Sequence, residues 1–246
     1  MAERKQDRNR VLVVIPAYNE EKTLGHLTRE IARVYPRLDI LVVDDGSNVP
    51  PPLPDGIAVV RHPFNLGDGA ARQTGFLYAL RRGYEFVIHL DADRQHTPRE
   101  IPVFLDALEG TGADLVVGSR FIGSCTYRVP AARRLGMMIF GLTCSVFTGK
   151  RITDPTNGFR GMNRKTLRLY TRGFYPQHFP DADVIISSHY GGLRIVEVPV
   201  TVGPTRSVNL HRGWKILYYI YKMFLSTFVA ILGRREKPAK EPGGAP

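Results

Sequence analysis

The sequence predicts an α/β fold, a mostly parallel central sheet flanked by helices. Three observations carry that expectation. Short apolar, β-rich runs recur through the first half of the chain, at Val11–Ile15, Ile40–Val43, Ile57–Val60, Phe86–Leu90 and Leu115–Val117. Stretches with apolar residues at helical spacing separate them, and strands alternating with helices build parallel sheets covered on both faces. Polar residues gather directly after three of these runs, at Tyr18 to Glu20, Asp44 to Ser47 and Asp91 to Gln95. In a parallel sheet those three groups share the carboxyl edge, where open α/β sheets bind ligands.

Taken in order, Val11–Ile15 is a strand stopped by Pro16, and Asn19 is placed to cap a helix carrying Leu24, Leu27, Ile31 and Val34 on one face. Ile40–Val43 runs straight into Asp44-Asp45-Gly46-Ser47, and Pro50–Pro54 reads as a stiff surface connection. After the short Ile57–Val60 strand comes Asn65 to Arg72, with Gly67 and Gly69, then a helix carrying Phe76, Leu77 and Leu80. The glycine spacing fails the dinucleotide fingerprint, because the next glycine is Gly75, and no G-x-x-x-x-G-K-[ST] pattern exists. These glycines therefore read as allowing close helix packing or backbone approach to a ligand. Leu115–Val117 ends in Gly118-Ser119-Arg120.

The stretch Glu85–Glu100 organises the rest. It begins as a buried strand and ends as a helix start, with Thr97 as N-cap, Pro98 at the first helical position and Glu100 closing a capping box. Between lie Asp91, Asp93 and Gln95. Residues two apart in extended chain point to one side, so both carboxylates can meet one object. Hard oxygen donors of this kind suit Mg²⁺ or Mn²⁺ where substrate phosphates complete the shell. The plain alternative is that these aspartates only shape a loop. His89 and His96 read as satisfied polar residues before ligands.

The chain has 246 residues, 43% hydrophobic and 23% charged, enough for one large domain or two small ones with a full core. Cys125 and Cys144 show no metal-ligand spacing, which points to a reducing compartment. The start, MAERKQDRNR, is charged and has no apolar signal region. A net charge of +11 implies an anionic partner: nucleic acid, a membrane surface or phosphorylated substrates.

Val13 to Glu20 (VVIPAYNE), Val43 to Ser47 (VDDGS), Asn65-Leu66-Gly67 with Gly69-Ala70, and Leu90 to Asp93 (LDAD) resemble, in order, the motifs of family-2 glycosyltransferases with the GT-A fold. Val117 to Arg120 (VGSR), Asp154 to Arg160 (DPTNGFR) and Glu197 to Val200 (EVPV) resemble the dolichol- and polyprenyl-phosphate mannose synthase-like branch. The resemblance spans roughly residues 11–206. It implies that Pro16, Ala17, Tyr18, Glu20, Asp44 and Asp45, with Asp91, bind a nucleotide-sugar donor. It implies that Asp91, Asp93 and Gln95 hold Mg²⁺ or Mn²⁺. Arg120 resembles a contact to the acceptor phosphate, Arg133 and Arg134 fall near further acceptor-binding positions, and Arg206 matches a basic residue on a loop after the EVPV strand. Asp93, Arg120 and Arg206 are thus the catalytic candidates. The loop after Arg206 lacks the family's glycine. Arg160 and Asp154 read equally as a structural pair across the DPTNGF turn and as contacts to a ligand. Asp181 and Asp183 read as a helix start, with a base as the competing role.

A hydroxyl acceptor needs a general base, whereas a phosphate acceptor is already anionic and needs arginines to hold it. The arginines favour a polyprenyl phosphate. The alternatives are a family-2 enzyme acting on a hydroxyl of a glycan, lipid or protein, a non-enzymatic basic binding protein, and a nucleotidyltransferase, whose glycine-rich N-terminal loop is missing. Nucleic acid is disfavoured, since the basic residues form no recognisable module. Arg133–Lys150 is apolar in its middle and basic at both ends, and Trp214–Leu232 is apolar, aromatic and interrupted by Lys215 and Lys222. The latter reads as an interfacial helix rather than a spanning one, or as a helix docked on the domain or on a small membrane protein. The expected organisation is a charged tail at 1–10, a GT-A domain at 11–206, a membrane-interfacial or docking helix at 207–233 and a disordered tail at 234–246, on the cytoplasmic face of a membrane with an anionic surface.

Overall fold

The computed structural model describes residues 10–93, 96–122, 131–172, 175–177 and 180–201, with Leu225 and Phe228. Seven strands form one sheet: β1 (Val11–Ala17), β2 (Asp39–Asp44), β3 (Ala58–Arg61), β4 (Phe86–His89), β5 (Leu115–Ser119), β6 (Arg160–Asn163) and β7 (Ile195–Pro199). Their spatial order is β3-β2-β1-β4-β6-β5-β7. β6 alone runs against its neighbours, pairing antiparallel with β4 and with β5; the other pairings are parallel.

The helices described over the sheet are α1 (Glu21–Val34), α2 (Asp68–Arg82), α3 (Ile101–Thr111), α4 (Ala131–Thr148), α5 (Arg164–Arg172) and α6 (Ala182–Tyr190). The strands are apolar on both sides because each side packs a layer. Val13, Ile15 and Ile88 face Leu24, Leu27, Ile31 and Phe104 of α1 and α3. Leu12, Val14 and Val87 face Phe76, Phe140, Leu167 and Ile185 of the other helices. The α/β expectation holds, and the antiparallel β6 and helix α5 are additions to it. The C-terminal helix expected at 207–233 lies outside the described residues apart from Leu225 and Phe228, which are helical and exposed. Among the described residues no helix is long and apolar enough to cross a membrane.

Two local expectations are corrected. Glu20, not Asn19, precedes α1 as its N-cap. Asn19 takes a left-handed φ of 55° and joins two loops instead: its N–H donates to Ser47 Oγ and its Oδ1 accepts from Asn48 N, each at 2.9 Å. At the other site Thr97 precedes a single 3-10 turn, Pro98–Glu100, with Pro98 in its first positions, but makes no side-chain cap. Glu100 Oε1 accepts from the Thr201 backbone N–H at 2.7 Å, so its carboxylate ties down the end of β7 rather than closing a capping box.

The proline run lies directly on α1. A Cβ at Gly25 would stand 2.7 Å from the Pro52 carbonyl oxygen, so only glycine lets the two backbones approach this closely.

Candidate active site

The carboxyl edge collects the ends of β1, β2 and β4 and, because β6 is reversed, the beginning of β6: His89 at the end of β4 lies opposite Arg160. The turn before β6 is thereby delivered to the residues after β4.

Asp91 is the centre of this meeting. Arg72, buried on the first turns of α2, donates through Nη2 to Asp91 Oδ1 at 3.2 Å and pairs with Asp68 at 2.8 Å. A Cβ on Gly158 would collide with the Asp91 carboxylate, so the glycine makes the space in which that group lies. Gly158 is held in turn by His89, whose Nδ1 is 2.6 Å from the Gly158 carbonyl oxygen, which makes Nδ1 the protonated nitrogen. Burial, reinforced by Arg72, drives the His89 pKa down to about 3, so the ring is neutral. Burial, the largest single influence, pushes the Asp91 carboxyl up, but Arg72 together with further basic groups including Arg160 outweighs it, and the net shift is downward, keeping the carboxylate ionised. Asp93 lies two residues on, half-buried, and Gln95 lies outside the described residues.

The donor set suits a hard divalent cation. Asp91 and Asp93 supply carboxylate oxygens from one loop, and among the described residues no cluster of three or more acidic, His or Cys side chains encloses an ion. Two carboxylates in one loop suit Mg²⁺ or Mn²⁺ when substrate phosphates complete the shell.

Asp44 and Asp45, adjacent in sequence, differ in availability. Asp45 is spent inside the protein: Oδ1 meets His62 Nδ1 at 2.6 Å and Leu66 N at 2.9 Å, and Oδ2 accepts from Gly67 N at 2.9 Å. It shapes the Asn65–Gly67 loop from within. Asp44 Oδ1 accepts from Ser47 N at 3.0 Å, while its buried Oδ2 has no hydrogen-bond partner among the described residues and lies 3.4 Å from Arg61 Nε. A cavity of about 400 Å³ opens beside it, lined also by Pro50, Pro51, Leu53, Ile57 and Arg61. A buried acceptor facing a cavity calls for an N–H or O–H donor from a ligand. A larger cavity, about 570 Å³, lies at the opposite edge, away from the residues that follow β1, β2 and β4. The smaller one, at the carboxyl edge beside Asp44, is the better candidate. Pro16 and Ala17 end β1 as buried residues, Tyr18 after them is exposed, and Glu20 Oε2 accepts from Thr23 Oγ1 at 2.7 Å.

On the far side of the edge the candidate pair Arg160–Asp154 does not form. Asp154 instead takes Arg120 in a two-pronged contact, and also accepts from the Arg120 backbone N–H at 3.0 Å. Glu197 accepts from the backbone N–H groups of Thr153 and Asp154 at 2.9 Å, fixing the turn that presents Asp154. Arg160 points its guanidinium at the carbonyls of Asn157 and Pro155 and stands 4.0 Å from Asp181. Asp183 Oδ1 accepts from the N–H groups of Asp181 and Val184, which favours the helix-start reading. His96 packs on the Phe159 ring, centroids 5.2 Å apart. Arg134 is exposed on the first turns of α4; the side chain of Arg133, and all of Arg206, lie outside the described residues.

Two residues that shape the site, Arg72 and Gly158, differ in how far the sequence marks them. Arg72 has a readable signal, since Asp68 and Arg72 are four apart on a helix; Gly158 has none before β6 is placed.

The model of the family described as Glycosyl transferase family 2 matches residues 12–170. The chain belongs to that family. Among the relatives of this family-2 glycosyltransferase is the polyprenol monophosphomannose synthase of Mycolicibacterium smegmatis, 35% identical over 208 residues that cover 78% of this chain and 77% of the relative. The undecaprenyl-phosphate mannosyltransferase of Micrococcus luteus is 33% identical over 219 residues, covering 78% and 83%. Among solved structures, glucosyl-3-phosphoglycerate synthase from Mycobacterium tuberculosis, in complex with Mn²⁺ and UDP-glucose, superposes with a TM-score of 0.65 at 22% identity, covering 93% of this chain and 80% of that one. At that identity the likeness shows a shared fold, which places the family-2 domain in the GT-A class.

Proposed function

We propose that the protein moves a sugar from a nucleotide-sugar to the phosphate of a polyprenyl phosphate, with inversion, at the cytoplasmic surface of a membrane. The observation that carries this reading is the pair of relatives at 35% and 33% identity, one named for polyprenol monophosphomannose and one for undecaprenyl-phosphate. The geometry supports it. The open oxygen of Asp44 is suited to a nucleoside N–H or O–H, and Asp91 and Asp93 lie on the same edge, where the diphosphate of that nucleotide would reach them. With Gln95 as third candidate ligand, these aspartates would hold Mg²⁺ or Mn²⁺, which supplies positive charge against the leaving diphosphate. Arg72 keeps Asp91 ionised and in place. Arg120, clamped by Asp154, presents a fixed cation at the acceptor side, with Arg133, Arg134 and Arg206 as further candidates for the lipid phosphate. A phosphate acceptor attacks as an anion, so no residue has to remove its proton. Asp183, taken up by backbone N–H groups, fits that chemistry better than transfer to a hydroxyl, which needs a base.

The test is a screen of nucleotide-sugars, GDP-mannose first, with Mg²⁺ or Mn²⁺ and a ten-carbon polyprenyl phosphate. The expected result is release of nucleoside diphosphate and an acid-labile, phosphodiester-linked sugar, abolished by EDTA. Sugar recovered on a hydroxyl would overturn the acceptor assignment and leave the family assignment standing.

A further inference from the structure

Helix α4 has two apolar faces, and the described residues cover one of them. Met137, Phe140 and Cys144 are buried against the domain, with Cys144 Sγ 3.6 Å from the Ala182 carbonyl oxygen of α6. On the other side Met138, Ile139, Leu142 and Val146 are 58%, 43%, 66% and 69% exposed. At 100° per residue these four fall within a single arc of about 100°, a continuous stripe along the helix. Isolated exposed apolar residues need no explanation, but a contiguous stripe marks a contact surface.

The surroundings of the stripe identify its occupant. α4 contains no acidic residue, and exposed cations stand at both ends, Arg134 at one and Lys150 with Arg151 at the other. An apolar stripe with basic ends on a helix that does not meet the requirements for crossing a membrane has the chemistry of a helix lying in an anionic lipid surface. The chain leaves β5 for α4 at the carboxyl edge and returns there to begin β6, so the helix is an excursion from the reaction edge. It is tied back to that edge. Ser145 Oγ accepts from Ile152 N at 2.9 Å, and Gly141 lies against the carbonyl oxygens of Ile152 and Thr153, directly before the Asp154 that clamps Arg120.

We propose that the outward stripe of α4, Met138, Ile139, Leu142 and Val146, is the surface on which the protein lies against an anionic bilayer, with its reaction edge held at headgroup level. The contact stands on the stripe and its charges alone; its service to catalysis rests on the lipid-phosphate reading above.

The experiment uses the full chain and Leu142→Asp/Val146→Asp, checked for unchanged circular dichroism. Vesicles of phosphatidylglycerol with phosphatidylcholine should retain the wild type in a salt-sensitive manner, and the double variant about a hundredfold less, the least that two fully withdrawn aliphatic side chains account for. Equal retention would overturn the proposal, because some other part of the chain then carries the contact. An environment-sensitive fluorophore on Val146→Cys, with Cys125→Ser, should shift to the blue on these vesicles, whereas one on Asp106→Cys of α3 should not; equal responses would also overturn it. So would a wild-type dimer that the double variant dissociates without lipid, since the stripe would then cover a second copy. Turnover separates the two readings. The double variant should match wild type on the soluble ten-carbon phosphate and lose activity on vesicle-embedded undecaprenyl phosphate. No turnover of either acceptor by either protein would count against the lipid-phosphate reading, while the binding arms still decide the surface.

Discussion

Arg120 grips Asp154 with Nε to Oδ2 at 2.6 Å and Nη2 to Oδ1 at 2.7 Å, and both side chains are buried. A fork of this kind fixes the guanidinium plane as well as its charge. Removing one partner leaves the other buried and uncompensated, at a cost of about 3–5 kcal/mol. Asp154→Ala is expected to lower the urea midpoint accordingly; an unchanged midpoint would mean that water or another group compensates Arg120.

Gly158→Ala tests the cradle around Asp91. The added methyl has no room beside the carboxylate. Displacing a reacting-site group by about 1 Å can cost about 100-fold in rate. We expect a loss of that order with the fold retained, measured as diphosphate release beside a thermal melt. Wild-type turnover would show that the carboxylate can move without consequence.

Arg72 acts on the site through Asp91 rather than by touching substrate. Arg72→Met should weaken Mn²⁺ binding, followed by electron paramagnetic resonance without substrate, by about 10–100-fold, the range for groups that support a metal ligand. Arg72→Lys should recover part of it by restoring the charge without the fork. Equal affinities in all three proteins would remove Arg72 from the metal site.

Asp44→Ala should weaken donor binding while leaving turnover at saturation less affected. A ligand N–H or O–H deprived of its buried acceptor loses about 1–3 kcal/mol, or roughly tenfold to a hundredfold in affinity. Calorimetry with metal present measures it, and an unchanged dissociation constant would remove Asp44 from the nucleoside pocket.

Asp114 gives a pH signature far from the reaction edge. Burial pushes its carboxyl up, but donation from Arg194 N, Asn163 and Lys165 outweighs this and holds it below the ordinary 3.8. Because the folded value lies below the unfolded one, the stabilisation is complete above the unfolded value and is lost as pH falls through the folded value. The stability gap between wild type and Asp114→Asn should therefore be largest near neutral pH and close below about pH 4, with kcat unaffected. A gap independent of pH would assign the effect to packing.

The parallel half of the fold was legible because its strands are buried on both faces and carry unbroken apolar runs. β6 was not: Arg160-Gly161-Met162-Asn163 has no β signature, and it is a strand only because β4 and β5 offer it hydrogen bonds on both sides. The local contacts that differ from expectation follow from such long-range choices. Glu100 could have capped its own helix but met Thr201, and Asp154 had Arg160 six residues away yet met Arg120 across the turn. The aspartates after β2 look equivalent in sequence; the His62 ring and the Leu66 and Gly67 N–H groups are what consume Asp45 and leave Asp44 open.

The seating of Pro50–Pro54 on α1 bears on how the cavity beside Asp44 takes a ligand. Prolines have fixed φ, and Gly25 lets this run rest directly against a helix backbone, so that wall loses little conformational entropy when something binds. A pocket walled in this way is a rigid gauge rather than a closing hand. It discriminates by shape and by the single open oxygen of Asp44, and a ligand of the wrong outline gains nothing by waiting for the wall to adapt.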